Sequence, residues 1–325
     1  MSGMSPPLLS VQDLRVDFDT YDGVVKALES VTLEILDGEV FGLVGETGCG
    51  KSVTALSIMR LIPENGKIVE GKILFRAEDL LSKTEEEMRK LRGGKISMIF
   101  QDPTVSLNPV FTVGQQIIDV IMIHQHVGRE EATIRASEAF KLVALADPDK
   151  ALKLYPHELS GGMQQRVMIA MALSSNPDML IADEPTSSVD VTIQAQLLRR
   201  LLEIKSARRL AILLITHSMG IVAETCDKVG VMYAGNVVEL GPMRDVLKDP
   251  LHPYTKGLLE AIPTPRSRGK RLSIVKGTIP DLINRPLGCT FHPRCSYAME
   301  ICRAERPAAV DLGSGRRVAC HLVKR

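Results

Sequence analysis

The sequence predicts an α/β fold built around a glycine-rich phosphate-binding loop, and three observations carry that expectation. Val40-Phe41-Gly42-Leu43-Val44 reads as a short buried strand that runs straight into Gly45-Glu46-Thr47-Gly48-Cys49-Gly50-Lys51-Ser52, after which apolar residues take helical spacing from Val53 to Leu61. A second apolar strand, Met179-Leu180-Ile181-Ala182, ends in the adjacent acids Asp183 and Glu184. A third, Ile212-Leu213-Leu214-Ile215-Thr216, ends at His217. Strand, glycine-rich loop and helix in that order are the context a P-loop requires.

The residue types in the loop follow from what a phosphate needs. Glycines let backbone N–H groups converge on phosphate oxygens without side-chain obstruction. The helix that follows turns its positive end toward the same anion. Lys51 can reach the β- and γ-phosphates, and Ser52 can place a hydroxyl on Mg²⁺. Cys49 fills a variable position of the pattern and carries no redox expectation.

A buried strand that delivers two carboxylates to one end is costly unless a cation awaits them, and Mg²⁺ on a nucleotide is such a cation. Successive strand residues point opposite ways, so the two acids can divide the work. Asp183 is expected in the metal shell and Glu184 as the base that polarises the attacking water. Leu159-Ser160-Gly161-Gly162-Met163-Gln164-Gln165-Arg166 opens a helix expected over Met163 to Leu173, with Ser160 suited to the N-cap and glycines leaving amides open to a ligand. Gln101 follows Met98-Ile99-Phe100, where it can stand between metal and water. His217, at its strand end, can contact a γ-phosphate.

Composition narrows the classes. The chain has 325 residues, a formal net charge of +1, 45% hydrophobic and 24% charged residues. That is an ordinary globular balance, and it gives no support to bulk electrostatic binding of nucleic acid. Met1 to Leu14 lacks the pattern of a signal peptide, and runs such as Leu210 to Ile215 fall far short of the roughly 20 residues that span a bilayer. A cytosolic chain is the expectation, and there six cysteines argue against structural disulfides.

Together these residues resemble the ABC ATPases. The set has a Walker A motif at 45–52, a Q-loop at Gln101, an LSGG signature at 159–162, Walker B at 179–184, a D-loop reaching Asp190 and a switch histidine at His217, in the family's order over roughly residues 8–245. The resemblance implies ATP and Mg²⁺ as ligands. Gly45 through Val53 would bind the nucleotide, with Tyr21 stacking on adenine and Ser52, Gln101 and Asp183 at Mg²⁺. Glu184, His217 and Gln101 would be catalytic. It also implies that two cassettes meet head to tail, so that Ser160, Gly161, Gly162, Gln164 and Asp190 serve the partner's nucleotide. Two positions depart from the family. Ser187-Ser188-Val189 precedes Asp190 where Thr-Ala-Leu is commoner, and Ser218 follows His217 where Asp is commoner.

Further stretches resemble the oligopeptide, dipeptide and nickel importer branch. They are Phe100-Gln101-Asp102-Pro103, Ser106-Leu107-Asn108-Pro109, Tyr155-Pro156-His157-Glu158-Leu159, Asp190 through Gln196, and His252-Pro253-Tyr254-Thr255. The resemblance divides the chain into an ATPase domain at 1–250, with antiparallel β and helical subdomains (the latter at about 103–170), and a small irregular extension at 251–325. It implies an ATP-hydrolysing subunit on the cytoplasmic face of the membrane. Its partners would be a second, homologous ATPase, two transmembrane permeases and an extracytoplasmic substrate-binding protein. Peptides are the branch default, with oligosaccharide, nickel or glutathione as alternatives. DNA-repair or translation ATPases carry long coiled coils or paired cassettes, and this chain shows neither. A fused exporter would carry membrane spans, and a soluble redox-regulated ATPase ranks lower.

Past Pro250 proline and arginine become frequent and helical periodicity fades. Cys289, Cys295, Cys302 and Cys320 lie there with spacing C-x5-C-x6-C-x17-C. Four cysteines in a short, loop-rich cytosolic segment point to a metal. Thiolates suit zinc or iron–sulfur, and zinc sites usually use pairs two to four residues apart, which are lacking here. The resemblance favours a [4Fe–4S] cluster, with zinc as the alternative and His292 and His321 as substitute ligands. A structural staple is the expected role.

Overall fold

The computed structural model describes residues 6–102, 106–186, 190–262 and 275–323. Their strands are β1 Leu9–Thr20, β2 Gly23–Ile35, β3 Val40–Val44, β4 Gly66–Phe75, β5 Glu78–Asp79, β6 Ile96–Ile99, β7 Met179–Asp183, β8 Ala211–Thr216, β9 Lys228–Tyr233, β10 Asn236–Pro242, β11 Val310–Asp311 and β12 Arg317–Val318. The chain forms two compact units, one of residues 1–82 and 214–325, the other of residues 83–213. The cysteine-bearing tail falls within the first of these units.

In the first unit the strands run β5-β4-β1-β2-β10-β9-β3. β1 pairs antiparallel with both β2 and β4, and Thr20 faces Gly23 across a two-residue turn at Tyr21-Asp22. β3 lies parallel to β9, with Val44 opposite Val231. All five residues of β3 are buried, as a continuous apolar run between covered faces demands. The helix after the glycine-rich loop spans Lys51–Met59, two residues earlier than the apolar spacing suggests at each end. Gly50 begins it at φ 108° and Arg60 ends it at φ 50°, so two left-handed residues fix its length.

The tail docks on this unit by several devices. β12 pairs with β10, setting Glu239 opposite Val318. Phe291 packs against Tyr233 and Tyr254 with ring centroids 5.1 and 5.4 Å away. Three arginines of the tail reach glutamates of the core: Arg285 to Glu29, Arg294 to Glu46, and Arg316 to Glu239. The arginine enrichment of this segment therefore riveted it to the core. Burying such charges is tolerable because each guanidinium meets a carboxylate.

His252 and Pro253 start the helix Pro253–Glu260, with the His252 ring nitrogen accepting the Tyr254 N–H at 3.1 Å. His252 is 1% exposed, and burial drives its pKa down from 6.5 to about 3. Between those values the unfolded chain binds a proton that the folded chain refuses. The stabilising contribution is whole above pH 6.5 and is lost as pH falls through 3. The slope is up to about 1.4 kcal/mol per pH unit. His252→Asn keeps a capping oxygen without the titration. Urea unfolding at pH 7, 6 and 5 should show a shallower loss of stability in that variant than in the parent, and equal slopes would remove His252 from the acid response.

In the second unit β6 and β7 are parallel, with Ile99 opposite Ala182. Helices Val113–Gln125, Arg129–Leu142 and Gly161–Ser174 pack on one another. Val113, Ile117 and Ile121 bury one face of the first, and Ala136 and Phe140 the second, at helical spacing. The helix Val191–Arg208 buries Leu197, Leu201 and Ile204 in the same way.

Candidate functional site

In the first unit the loop of residues 45–52 is already held in a turn around its own lysine. Lys51 is 5% exposed, and its ammonium donates to the carbonyls of Gly45 at 2.8 Å and Glu46 at 3.0 Å. Gly45 cannot be anything larger, because a Cβ there would lie 2.2 Å from the Met232 carbonyl oxygen on β9. Thr47 and Gly48 face solvent. Cys49 is buried against the Lys51 ammonium at 3.8 Å, and burial pushes its thiol pKa up, which agrees with a packing role. The Lys51–Met59 helix has no side-chain cap at Gly50, so its first amides point into the loop as an anion site requires. Ser52 and Val53 lie in its first turn, half-buried. Tyr21 stands fully exposed at the tip of the β1–β2 hairpin, presenting a bare ring face. His217 directly follows β8 and is exposed. Ser218, where the family prefers Asp, caps the helix Met219–Thr225 by accepting the Ile221 N–H, so the departure has a structural use.

In the second unit the parallel register brings two predicted residues together. Because Ile99 faces Ala182, Gln101 and Glu184 emerge side by side two residues beyond, and the Gln101 amide donates to the Glu184 carboxylate at 3.2 Å. Asp183 ends the buried strand at 5% exposure. Glu184 then turns sharply away with φ 46°, a left-handed backbone that a glutamate adopts only under constraint.

The signature residues are also in this unit. Ser160 accepts the Met163 N–H at 3.4 Å, so the helix begins at Gly161, earlier than the apolar spacing indicates. Ser160 and Gly161 are exposed. Gln164 points back instead, donating to the carbonyls of Pro156 and Leu159 at 2.8 and 3.4 Å. That makes it a clasp for the preceding turn. Asp190 caps the Val191–Arg208 helix, accepting N–H bonds from Thr192 and Ile193 at 3.0 Å each. Pro103 and Ser187 to Val189 lie outside the described residues.

The cysteine tail carries the four thiols expected to hold a metal. The Cys289 N–H donates to the Cys302 carbonyl at 2.9 Å. Burial first, and neighbouring cysteines next in the same direction, push the thiols of Cys289, Cys295 and Cys320 up. Yet among the described residues no three His, Cys, Asp or Glu side chains are grouped to hold a metal ion. His292 and His321 turn ring nitrogens to the carbonyls of Cys289 and Glu305.

Two residues that the sequence left unassigned touch the loop. The Tyr254 hydroxyl accepts the Glu46 N–H at 2.9 Å, and Arg294 grips the Glu46 carboxylate with two bonds of 3.0 Å. Tyr254 was visible only as part of a branch motif. Arg294 lies 248 residues from its partner and left no local signal.

Known proteins place the chain. The family model for ABC transporters matches residues 28–187, and that for the oligopeptide/dipeptide transporter C-terminal region matches residues 238–302. Among solved structures, the chain is similar to the dimeric ATP-binding cassette MJ0796 in a post-hydrolysis state bound to ADP and Pi, at 25% identity and TM-score 0.66, covering 73% of this chain and 99% of that one. It is also similar to cbiO1 from Clostridium perfringens, at 28% identity and TM-score 0.64, covering 75% of this chain and 92% of that one. The chain belongs to the ABC transporter ATPases, and it is an ATP-hydrolysing transport subunit.

Within that family its relatives are specific. It is 48% identical to the probable peptide ABC transporter ATP-binding protein y4tR of Sinorhizobium fredii, over 96% of this chain and 94% of the relative. It is 46% identical to the dipeptide transport ATP-binding protein DppD of Bacillus subtilis over 97% and 94%, and 47% identical to the oligopeptide transport ATP-binding protein OppD of Escherichia coli over 96% and 92%.

Proposed function

We propose that this chain energises import of peptides, coupling ATP binding and hydrolysis to movement of a membrane partner. The observation that carries the reading is the near full-length likeness to peptide-transport ATPases, which includes the C-terminal region as well as the cassette. Lys51 and the loop amides hold the phosphates, with Ser52 and Asp183 at Mg²⁺ and Tyr21 against adenine. Glu184, steadied by Gln101, draws a proton from the attacking water as His217 meets the γ-phosphate. The exposed Ser160 and Gly161 suit a signature that closes on another cassette's nucleotide, and Asp190 supports the same contact. No helix among the described residues is long and apolar enough to cross a membrane. In this reading membrane attachment comes from partners, on the cytoplasmic face: two permeases, a homologous second ATPase, and a substrate-binding protein that selects the cargo.

Tagged protein recovered from detergent extract is expected to bring down two multispan permeases and a second ATPase. Recovery with ribosomes or DNA, and without permeases, would overturn the reading. The [4Fe–4S] or zinc expectation is supported by the resemblance of the cysteine spacing and by donor chemistry, since four thiols share one neighbourhood. Any such group would be held by Cys289, Cys295, Cys302 and Cys320, with His292 and His321 as substitute ligands. The same material prepared anaerobically decides it by iron, zinc and acid-labile sulfide content.

A further inference from the structure

We propose that Arg294 is a positioning residue for the nucleotide loop, so that the C-terminal tail sets how tightly this ATPase holds ATP. Every polar group of Glu46 is engaged from a different direction. Its N–H goes to the Tyr254 hydroxyl at 2.9 Å, its carbonyl receives the Lys51 ammonium at 3.0 Å, and its carboxylate receives both Arg294 amino groups at 3.0 Å. Glu46 therefore links the tail directly to the lysine that faces the phosphates.

Arg294 is itself held rigidly. Its Nε donates to the Lys276 carbonyl at 2.8 Å. Nη1 reaches the Tyr233 hydroxyl at 3.4 Å besides Glu46. Nη2 reaches the carbonyls of Gly277 at 3.1 Å and Val275 at 3.2 Å besides Glu46. All five guanidinium N–H groups thus have acceptors. The plane lies over the rings of Tyr233 and Phe291, 5.6 and 6.0 Å from their centroids. The side chain is 6% exposed. A buried, bidentate and fully satisfied guanidinium fixes its partner far better than a flexible surface pair does. Lysine cannot replace it, having three donors and no plane.

Position matters as much as strength. Gly45 is wedged against β9, so the start of the loop cannot move inward, and Arg294 restrains Glu46 from swinging outward. Without that restraint, the Glu46 carbonyl that orients Lys51 loses its anchor. Restoring the loop geometry then falls on the nucleotide, and affinity drops.

The inference rests on the ATPase assignment, which the unsubstituted protein's own ATP binding tests separately. With the full-length chain, ATP dissociation constants and melting temperatures are measured for Arg294→Met, Arg294→Lys and Arg316→Met. The last loosens the tail at Glu239 rather than at the loop. Arg294→Met is expected to raise the ATP Kd about tenfold, equivalent to about 1.4 kcal/mol. Arg294→Lys should recover only part of this, and Arg316→Met should lower the melting temperature with Kd within twofold. In a Glu46→Gln background, Arg294→Met should add less than twofold. A Kd unchanged in Arg294→Met, or shifted equally in Arg316→Met, overturns the proposal. If Arg294→Met does not fold, Glu46→Gln alone decides it, and an unchanged Kd there overturns it as well.

Discussion

Glu184→Gln is expected to keep ATP binding and to lose turnover by about 10²–10⁴-fold, the usual contribution of a positioned general base. The structure makes this substitution a clean test of chemistry. The Gln101 amide donates to the Glu184 carboxylate, and an amide oxygen at the same place accepts that bond equally well. The left-handed backbone at residue 184 imposes the same constraint on glutamine as on glutamate. Folding stability should therefore stay within about 0.5 kcal/mol, while the carboxylate proposed to take a proton from water is gone. Nucleotide-bound dimers should accumulate, because closure no longer leads to hydrolysis. Phosphate release and size-exclusion chromatography with ATP read the two effects. Undiminished hydrolysis removes Glu184 as the base.

The contrast between Glu184 and Arg294 shows what a sequence discloses. Glu184 was legible because a buried strand, Met179–Asp183, announces its own end and delivers the next residue to it. Its pairing with Gln101 follows once β6 and β7 are known to be parallel, but register between residues 83 apart in the chain is a tertiary fact. Ser160 was legible as a cap because caps are local. Gln164 shows what its place in the signature does not disclose, a side chain that turns back to the Pro156 carbonyl. The tail was least legible. Its prolines and arginines read as loss of order, and its cysteines as a metal site. Its docking on the core comes from ion pairs whose partners lie 256, 248 and 77 residues away. No local pattern encodes such contacts, so composition revealed the ingredients and not their use.

Lys51→Ala is expected to weaken ATP binding about 100-fold, equivalent to about 3 kcal/mol, the upper range for hydrogen bonds to a charged group in a sheltered site. Burial and two carbonyl partners hold the ammonium in the loop before any phosphate arrives. Little side-chain entropy then remains to be lost on binding, which places the full charge interaction in the affinity. Removing it should not collapse the loop, because Tyr254 and Arg294 still fix Glu46 from behind. The melting temperature without nucleotide should thus change little, while the nucleotide-induced stabilisation nearly disappears. At an ATP concentration of about 100 times the parent Kd, binding stabilises the parent by about 2.7 kcal/mol and the variant by only about 0.4 kcal/mol. Thermal unfolding with and without ATP separates these outcomes. Equal stabilisation of both proteins would show that the loop amides and helix N-terminus suffice, and that the buried lysine serves the loop rather than the phosphates.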